Sequence, residues 1–152
     1  MKTLENVFPV TVNYDLSVES LVAQGQNDLC NDDITSKHFQ TMRKGEVTCN
    51  FKLVHFNQVL TSDEVLKALA NRGLRPAELH ELLSFGIRYP EEQRKYCIVA
   101  LGSVWQVASV WQFWYRNLFV PYLWYGDSMS YLSLFCFGGE WGRCKRFLAV
   151  SE

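Results

Sequence analysis

Two early segments of the chain alternate apolar and polar residues with the period of two that a half-buried strand imposes. Val7 to Tyr14 (V-F-P-V-T-V-N-Y) is one, and Pro9, which has no N–H for a ladder, assigns it to a sheet edge. Glu46 to Phe56 is the other and the clearer. Val47, Cys49, Phe51 and Leu53 point one way, Thr48, Asn50 and Lys52 the other. Between them Ser17 can cap a short helix that buries Val18, Leu21 and Val22 and ends at Gly25. Asn27 to Phe39 is polar and reads as an ordered loop, since Asp32, Asp33, Thr35 and Ser36 can bond nearby backbone groups.

A helical period follows. Thr61-Ser62-Asp63-Glu64 is a capping box, Val65, Leu66 and Leu69 form the buried stripe, and Gly73-Leu74 fits a left-handed stop. Pro76 is placed to open a second helix, with Leu79, Leu82 and Leu83 on one face and Gly86 and Pro90 bounding its end. Glu91 and Glu92 suit the first turn of a further helical segment. The two main helices read as scaffold, their charged residues as a solvated face, and His80 as an exposed member of it.

From Cys97 the pattern changes again. Ile98 to Leu101 is a short apolar run stopped by Gly102-Ser103. Phe119 to Tyr125, Tyr131 to Phe137 and Lys145 to Val150 read as short strands, separated by the turn signals Gly126-Asp127-Ser128 and Gly138-Gly139. No repeat, low-complexity tract or Pro-rich linker divides the chain. The expected organisation is one α+β domain over 1–152, with two helices packed on short mixed or antiparallel strands. Residues 1–97 form the helix-bearing scaffold, and 98–152 a loop- and strand-rich portion that binds.

A length of 152 residues suits one domain, and 48% hydrophobic with 20% charged residues is a globular balance. A net charge of −1 supplies no general attraction to nucleic acid or anionic lipid, and neither is expected as a partner. The five cysteines, Cys30, Cys49, Cys97, Cys136 and Cys144, are an odd number without a C-x-x-C pair, which argues for free thiols in a reducing compartment. Met1 to Glu5 lacks the apolar run of a signal peptide, so the expected site is cytoplasmic, with surface display by another route left open. Cys97 to Tyr115 is a stretch of 19 uncharged residues, near the length of a bilayer span. Its Gly, Ser and Gln residues and its Val/Trp bias favour strands, and membrane insertion is not expected.

No catalytic constellation emerges. The three histidines, His38, His55 and His80, lie in the first half, and no spacing ties Cys136 or Cys144 to His38. His55, in a strand beside Phe56, reads as a hydrogen-bonded structural ring. Asp28, Asp32 and Asp33 form an acidic loop without the Gly and terminal Glu of a calcium loop, and read as turn formers. Arg143, Lys145 and Arg146 make a small basic cluster beside Trp141 that reads as a solvated rim. No cofactor or metal is expected.

The aromatic bias is what remains. Fourteen aromatic residues fall between Trp105 and Phe147, including every tryptophan of the chain. Trp105, Trp124, Trp141 and Phe147 can serve a core. Tyr122, Tyr125, Tyr131, Phe135 and Phe137 are interleaved with Gly, Ser and Asp at turns and strand edges, the mix of an antibody-like binding surface.

This closing third is similar to the variable proteins of diversity-generating retroelements. The likeness is carried by A-L-G-S-V-W (Ala100 to Trp105), V-P-Y-L-W (Val120 to Trp124) and E-W-G-R-C-K-R-F-L-A-V (Glu140 to Val150). The resemblance implies a C-type lectin-like fold whose variable region ends the chain. It also implies a non-enzymatic role in binding an unknown protein or surface ligand. Diversification in that family acts on adenines and does not produce Trp, Met, Lys, Gln or Glu at the varied positions. Met129, Glu140, Trp141 and Lys145 would then be framework, while Tyr125 to Ser128, Ser130, Tyr131, Ser133, Phe135 to Gly139 and Gly142 to Cys144 carry permitted types. The expected ligand-binding residues are Phe119, Tyr122, Tyr125, Asp127, Ser128, Ser130, Tyr131, Ser133, Phe135, Phe137, Arg143 and Cys144. The alternatives are a structural or oligomer-forming subunit and a cysteine-dependent enzyme on a related fold.

Overall fold

The last strand of the chain runs through the middle of its sheet. In the computed structural model, which describes residues 6–107 and 118–151, strand β11 (Lys145–Ser151) is flanked by β3 (Glu46–His55) and β6 (Cys97–Val99). Its F-L-A-V run is apolar on both faces because it separates two cores. Phe147 and Ala149 belong to one, Leu148 and Val150 to the other. Trp111, Trp114, Arg116 and the second part of the uncharged stretch considered as a span lie outside the described residues. Among the described residues no helix is long and apolar enough to cross a membrane.

The remaining elements are β1 (Phe8–Asn13), α1 (Val18–Gly25), β2 (Leu29–Cys30), β4 (Leu60–Thr61), α2 (Ser62–Asn71), β5 (Leu74–Pro76), α3 (Leu79–Arg88) and α4 (Pro90–Lys95). After β6 come β7 (Trp105–Gln106), β8 (Leu118–Gly126), β9 (Met129–Cys136) and β10 (Glu140–Trp141). Among the described residues the main sheet has nine strands, ordered β1-β3-β11-β6-β8-β9-β2, with β5 also on β11 and β7 on β8. It is mixed: β11 with β6 and β2 with β9 are parallel, and the other pairs are antiparallel. Strands from both compositional halves therefore share one ladder, in an α+β fold. Helices α1 and α3 cover one face, which holds Phe51, Phe85, Leu123 and Leu132. Helix α2 covers part of the other, with Val65 and Leu69 beside Trp141 and Phe147.

Local chemistry sets most boundaries as expected. Ser17 accepts from the Ser20 amide at 3.0 Å and starts α1. The Thr61 hydroxyl accepts from the Glu64 amide at 3.2 Å while the Glu64 carboxylate accepts from the Thr61 amide at 2.9 Å. Gly73, with φ of 71°, supplies the left-handed stop of α2. Glu91 and Glu92 do open a short helix, α4, with Pro90 at its first turn.

Six expectations are corrected. Pro76 opens no helix; it ends β5 opposite Ala149, and α3 begins at Leu79 after Glu78. Gly86 does not bound α3 but sits inside it, where a Cβ would lie 2.9 Å from Leu123 Cδ1, so glycine lets helix and sheet approach. Val47 shares the face of Cys49 and Phe51 but is exposed at the sheet margin, and Val54, from the supposed polar face, is buried beneath α2. The loop after α1 contains β2, a two-residue strand on the far edge of the sheet. His80 is buried and donates to the Leu16 carbonyl at 3.1 Å.

The sixth concerns Glu81, placed by its pattern on a solvated face and found fully buried. Arg75 grips it with two hydrogen bonds of 2.9 and 2.7 Å, Tyr14 donates at 2.6 Å, and the Glu78 amide donates at 2.7 Å. Burial alone would raise its pKa. The donors and the Arg75 charge prevail and hold the carboxyl below its usual value. The same contact, with burial foremost, pushes the Tyr14 hydroxyl pKa up.

Candidate ligand-binding face

Strands β8 and β9 form a tight hairpin in which Gly126 pairs with Met129, so Asp127 and Ser128 alone make the turn. Both have positive φ, 50° and 63°, the geometry that a two-residue turn needs to follow the strand twist. Their side chains are exposed at the tip.

Alternation along the hairpin then sorts the aromatic residues. Leu123 and Leu132 point to the core under α3, and Val120 to the core under α2. Tyr122 and Trp124, on the Val120 side of β8, register with Ser133 and Tyr131, and Val120 registers with Phe135. These side chains make one continuous row. Trp124 lies flat on Tyr131, with centroids 4.0 Å apart and planes 9° apart. The Trp124 Nε1–H donates to Ser133 Oγ at 3.2 Å. Tyr122 meets Phe135 edge-on at 6.3 Å, and Phe135 packs on Trp141 at 4.9 Å.

Beyond Phe135 the row goes underground. Trp141 is buried, held by β10 pairing with β4 and by its Nε1–H donating to Ser62 Oγ at 2.9 Å. The Ser62 hydroxyl in turn donates to the Phe137 carbonyl at 2.6 Å. Trp141 then contacts Phe147, which contacts Phe56 beneath the Arg72 guanidinium. The sheltered half of the row is core under α2. The other half runs from Phe135, at 41% exposure, to Tyr122, Trp124 and Tyr131, which are half-buried.

The expected site residues divide accordingly. Tyr122, Tyr131, Ser133 and Phe135 share the open face, with Asp127 and Ser128 at its tip. Ser130 is committed elsewhere: its amide and hydroxyl donate to the Asp28 carboxylate at 2.8 and 3.2 Å, which fastens β9 to the loop before β2. That contact also takes Asp28 out of the acidic loop. Phe119 is on the opposite side of the hairpin against Trp105, whose ring His38 stacks on at 4.0 Å. Phe137 is half-buried against the α2 core. Arg143 is exposed and donates to the Asn57 carbonyl at 3.2 Å, while Cys144 is exposed just before β11. Tyr125 carries the Arg94 guanidinium over its ring at 5.3 Å.

Helix α4 was not expected at the site, and it forms one wall of it. Gln93 is buried and shares its amide hydrogens among Asn27 Oδ1, the Trp124 carbonyl and the Tyr131 carbonyl, at 2.7 to 3.1 Å. It thereby pins the backbone beneath the stacked pair. A cleft of about 320 Å³ opens between α4 and β8, lined by Arg94, Lys95, Tyr96, Cys97, Tyr122, Trp124, Tyr125 and Lys145 as well as Gln93. Lys145 and Arg146 are not the solvated rim that their sequence suggests. Both are half-buried, and Arg146 lies over the Tyr96 ring at 4.2 Å. Burial is the main force on the Cys97 thiol and pushes its pKa up to about 11, only partly offset by Lys145. Burial likewise raises the Tyr122 hydroxyl pKa. The acid-rich opening of α4 gives no hint of these cations beside β8, because that contact is made between elements far apart in the chain.

Each histidine ring meets a backbone carbonyl: His38 the Asp33 carbonyl at 2.8 Å, His55 the Arg143 carbonyl at 2.7 Å, and His80 that of Leu16. At a carbonyl acceptor the ring nitrogen is the donor. Among the described residues no group of three or more His, Cys, Asp or Glu side chains could hold a metal ion.

Comparison with known proteins adds no relative: no protein-family model, no curated protein and no solved structure matches the chain.

Proposed function

We propose that the open face of the β8–β9 hairpin is the ligand surface of a non-enzymatic binding protein. In this reading the chain is a variable protein of the retroelement type, and its α+β fold is of the C-type lectin-like kind. The observation that carries the proposal is the divided aromatic row. One end, at Trp141 and Phe147, is locked in a core, while the same row emerges exposed at Phe135 and half-exposed at Tyr122, Trp124 and Tyr131. A sheet face with rigid rings, a Ser hydroxyl between them and a polar turn at its tip offers contact area at little cost in side-chain entropy. Framework and surface alternate along β9: Leu132 is buried, and its neighbours Tyr131 and Ser133 face out.

The test is to randomise Ser133, Phe135, Arg143 and Cys144 on this scaffold and select the displayed pool on an immobilised globular protein. Most variants should resist protease as the parent does, and binders should emerge. The same randomisation at Trp124 and Trp141 should yield mostly unfolded chains. A pool that unfolds at Ser133 and Phe135, or one that stays folded and never binds, overturns the proposal.

A further inference from the structure

We infer that the cleft between α4 and β8 binds a small aromatic anion, an aryl phosphate or aryl carboxylate in class. The ligand of the β8–β9 face would then carry its negative charge here; the role given to the ring rests on the proposed function above.

Three cations converge on this cleft from two parts of the chain. Arg94 and Lys95 come from the end of α4, and Lys145 comes from the start of β11, in register with Cys97. Among the described residues that line it there is no carboxylate, although the chain has 16 acidic residues against 15 basic ones. Glu92 pairs with Lys95 at 3.4 Å from outside the cleft. Among the described residues no carboxylate pairs with Arg94 or Lys145. Arg94 is instead positioned by the Tyr125 ring.

The surroundings add to the same sign. On the other side of Tyr96 a second hollow of about 240 Å³ brings Arg146 beside Lys95, with Glu92 as its acidic member. The Arg146 Nε is buried without a hydrogen-bond partner. Arg94 and Lys145, beside the aromatic walls of the cleft and without a carboxylate in its lining, favour an anion more than the same charges in open water would. The volume fixes the scale: about 320 Å³ is at the small end of small-molecule sites, enough for one ring and one charged group. Tyr122 is common to the cleft and to the aromatic row, and is the side chain placed to meet that ring.

Phenyl phosphate is the probe, with inorganic phosphate and phenol as controls. Binding to the full chain is followed through the tryptophan indole N–H resonances at low and high salt. The expected result is saturable binding of phenyl phosphate that weakens with salt, with phosphate and phenol each at least about tenfold weaker. Arg94→Gln with Lys145→Gln should reduce phenyl phosphate affinity at least about tenfold without changing the melting temperature. No saturable binding of phenyl phosphate, or a double variant that binds it as the parent does, overturns the inference. Tyr122→Ser separates the two readings. If it leaves phenyl phosphate affinity unchanged, Tyr122 does not meet the ligand's ring and the link from the cleft to the aromatic face is overturned, while the charge variants still decide whether the cleft binds the anion.

Discussion

The Trp124 indole and the Tyr131 phenol lie face to face across the β8–β9 hairpin, 4.0 Å apart and within 9° of parallel. Neither is fully buried, and the Trp124 and Tyr131 carbonyls both accept from the buried Gln93 amide. A rigid pair at the surface is thus held through its backbone by a buried polar side chain. Tyr131→Ser should cost about 1–2 kcal/mol, the worth of one stacked pair and part of a ring's burial. It should also shift the Trp124 indole N–H resonance. A loss of about 4 kcal/mol or more in urea unfolding would make Tyr131 a core residue and remove it from the surface.

Phe135 and Trp141 pack on each other at 4.9 Å yet belong to different halves of the row. Phe135 is 41% exposed and Trp141 is 2% exposed. Trp141→Ala should therefore cost about 3–5 kcal/mol, through a cavity under α2 and the hydrogen bond lost at Ser62. Phe135→Ser should cost under about 2 kcal/mol. Urea midpoints in the reverse order would contradict the division of the row.

The Arg75–Glu81 pair gives a signature in acid. Because the Glu81 pKa is held below its usual value, the stability it confers is present above the unfolded-state pKa of about 4.3. That stability is lost as pH falls through the lower folded value. Glu81→Gln strands a largely buried Arg75 charge and should cost about 3 kcal/mol at neutral pH. The variant should also lose stability less steeply than the parent between pH 5 and pH 2 (both about), since one depressed carboxyl is gone. Parallel urea-midpoint profiles for the two proteins would show that Glu81 does not titrate as described.

Cys97 in the cleft and Cys144 just before β11 should react in a set order. Cys144 is exposed, whereas Cys97 is half-buried with its pKa pushed up to about 11. Iodoacetamide at pH near 8 should modify Cys144 at least about tenfold faster than Cys97, read by peptide mass spectrometry. Faster modification of Cys97 would mean that the α4–β8 cleft opens to solvent far more than its geometry allows.

What the chain discloses about itself follows range. Short-range signals were readable: the Ser17 and Thr61 caps, the Gly73 stop and the alternation of β1 and β3 all act within four residues. Long-range pairing was not. Pro76 looks like a helix opener until β11 is there to pair with it, and Glu81 looks solvated until Arg75 and Tyr14 close over it. The aromatic segment stands out by composition, and the structure sorts it: Leu132 is buried, while Tyr131 and Ser133 are half-exposed on the other face of β9. The cations of α4 were missed because nothing local says that they lie beside β8. Ser130 reads as surface because its partner, Asp28, is far away in the chain.

The most direct measurement of the central claim is the DNA sequence flanking the coding region. The expected result is a near-repeat of the segment encoding residues 125–144, close to a reverse-transcriptase gene. Its differences should fall at adenines, in the codons for outward positions such as Tyr131, Ser133 and Phe135. The codons for Leu132 and Trp141, which are buried in the two cores, should match. A complete replicon with no such repeat, or a repeat whose differences fall equally on the buried positions, would contradict a diversified ligand face.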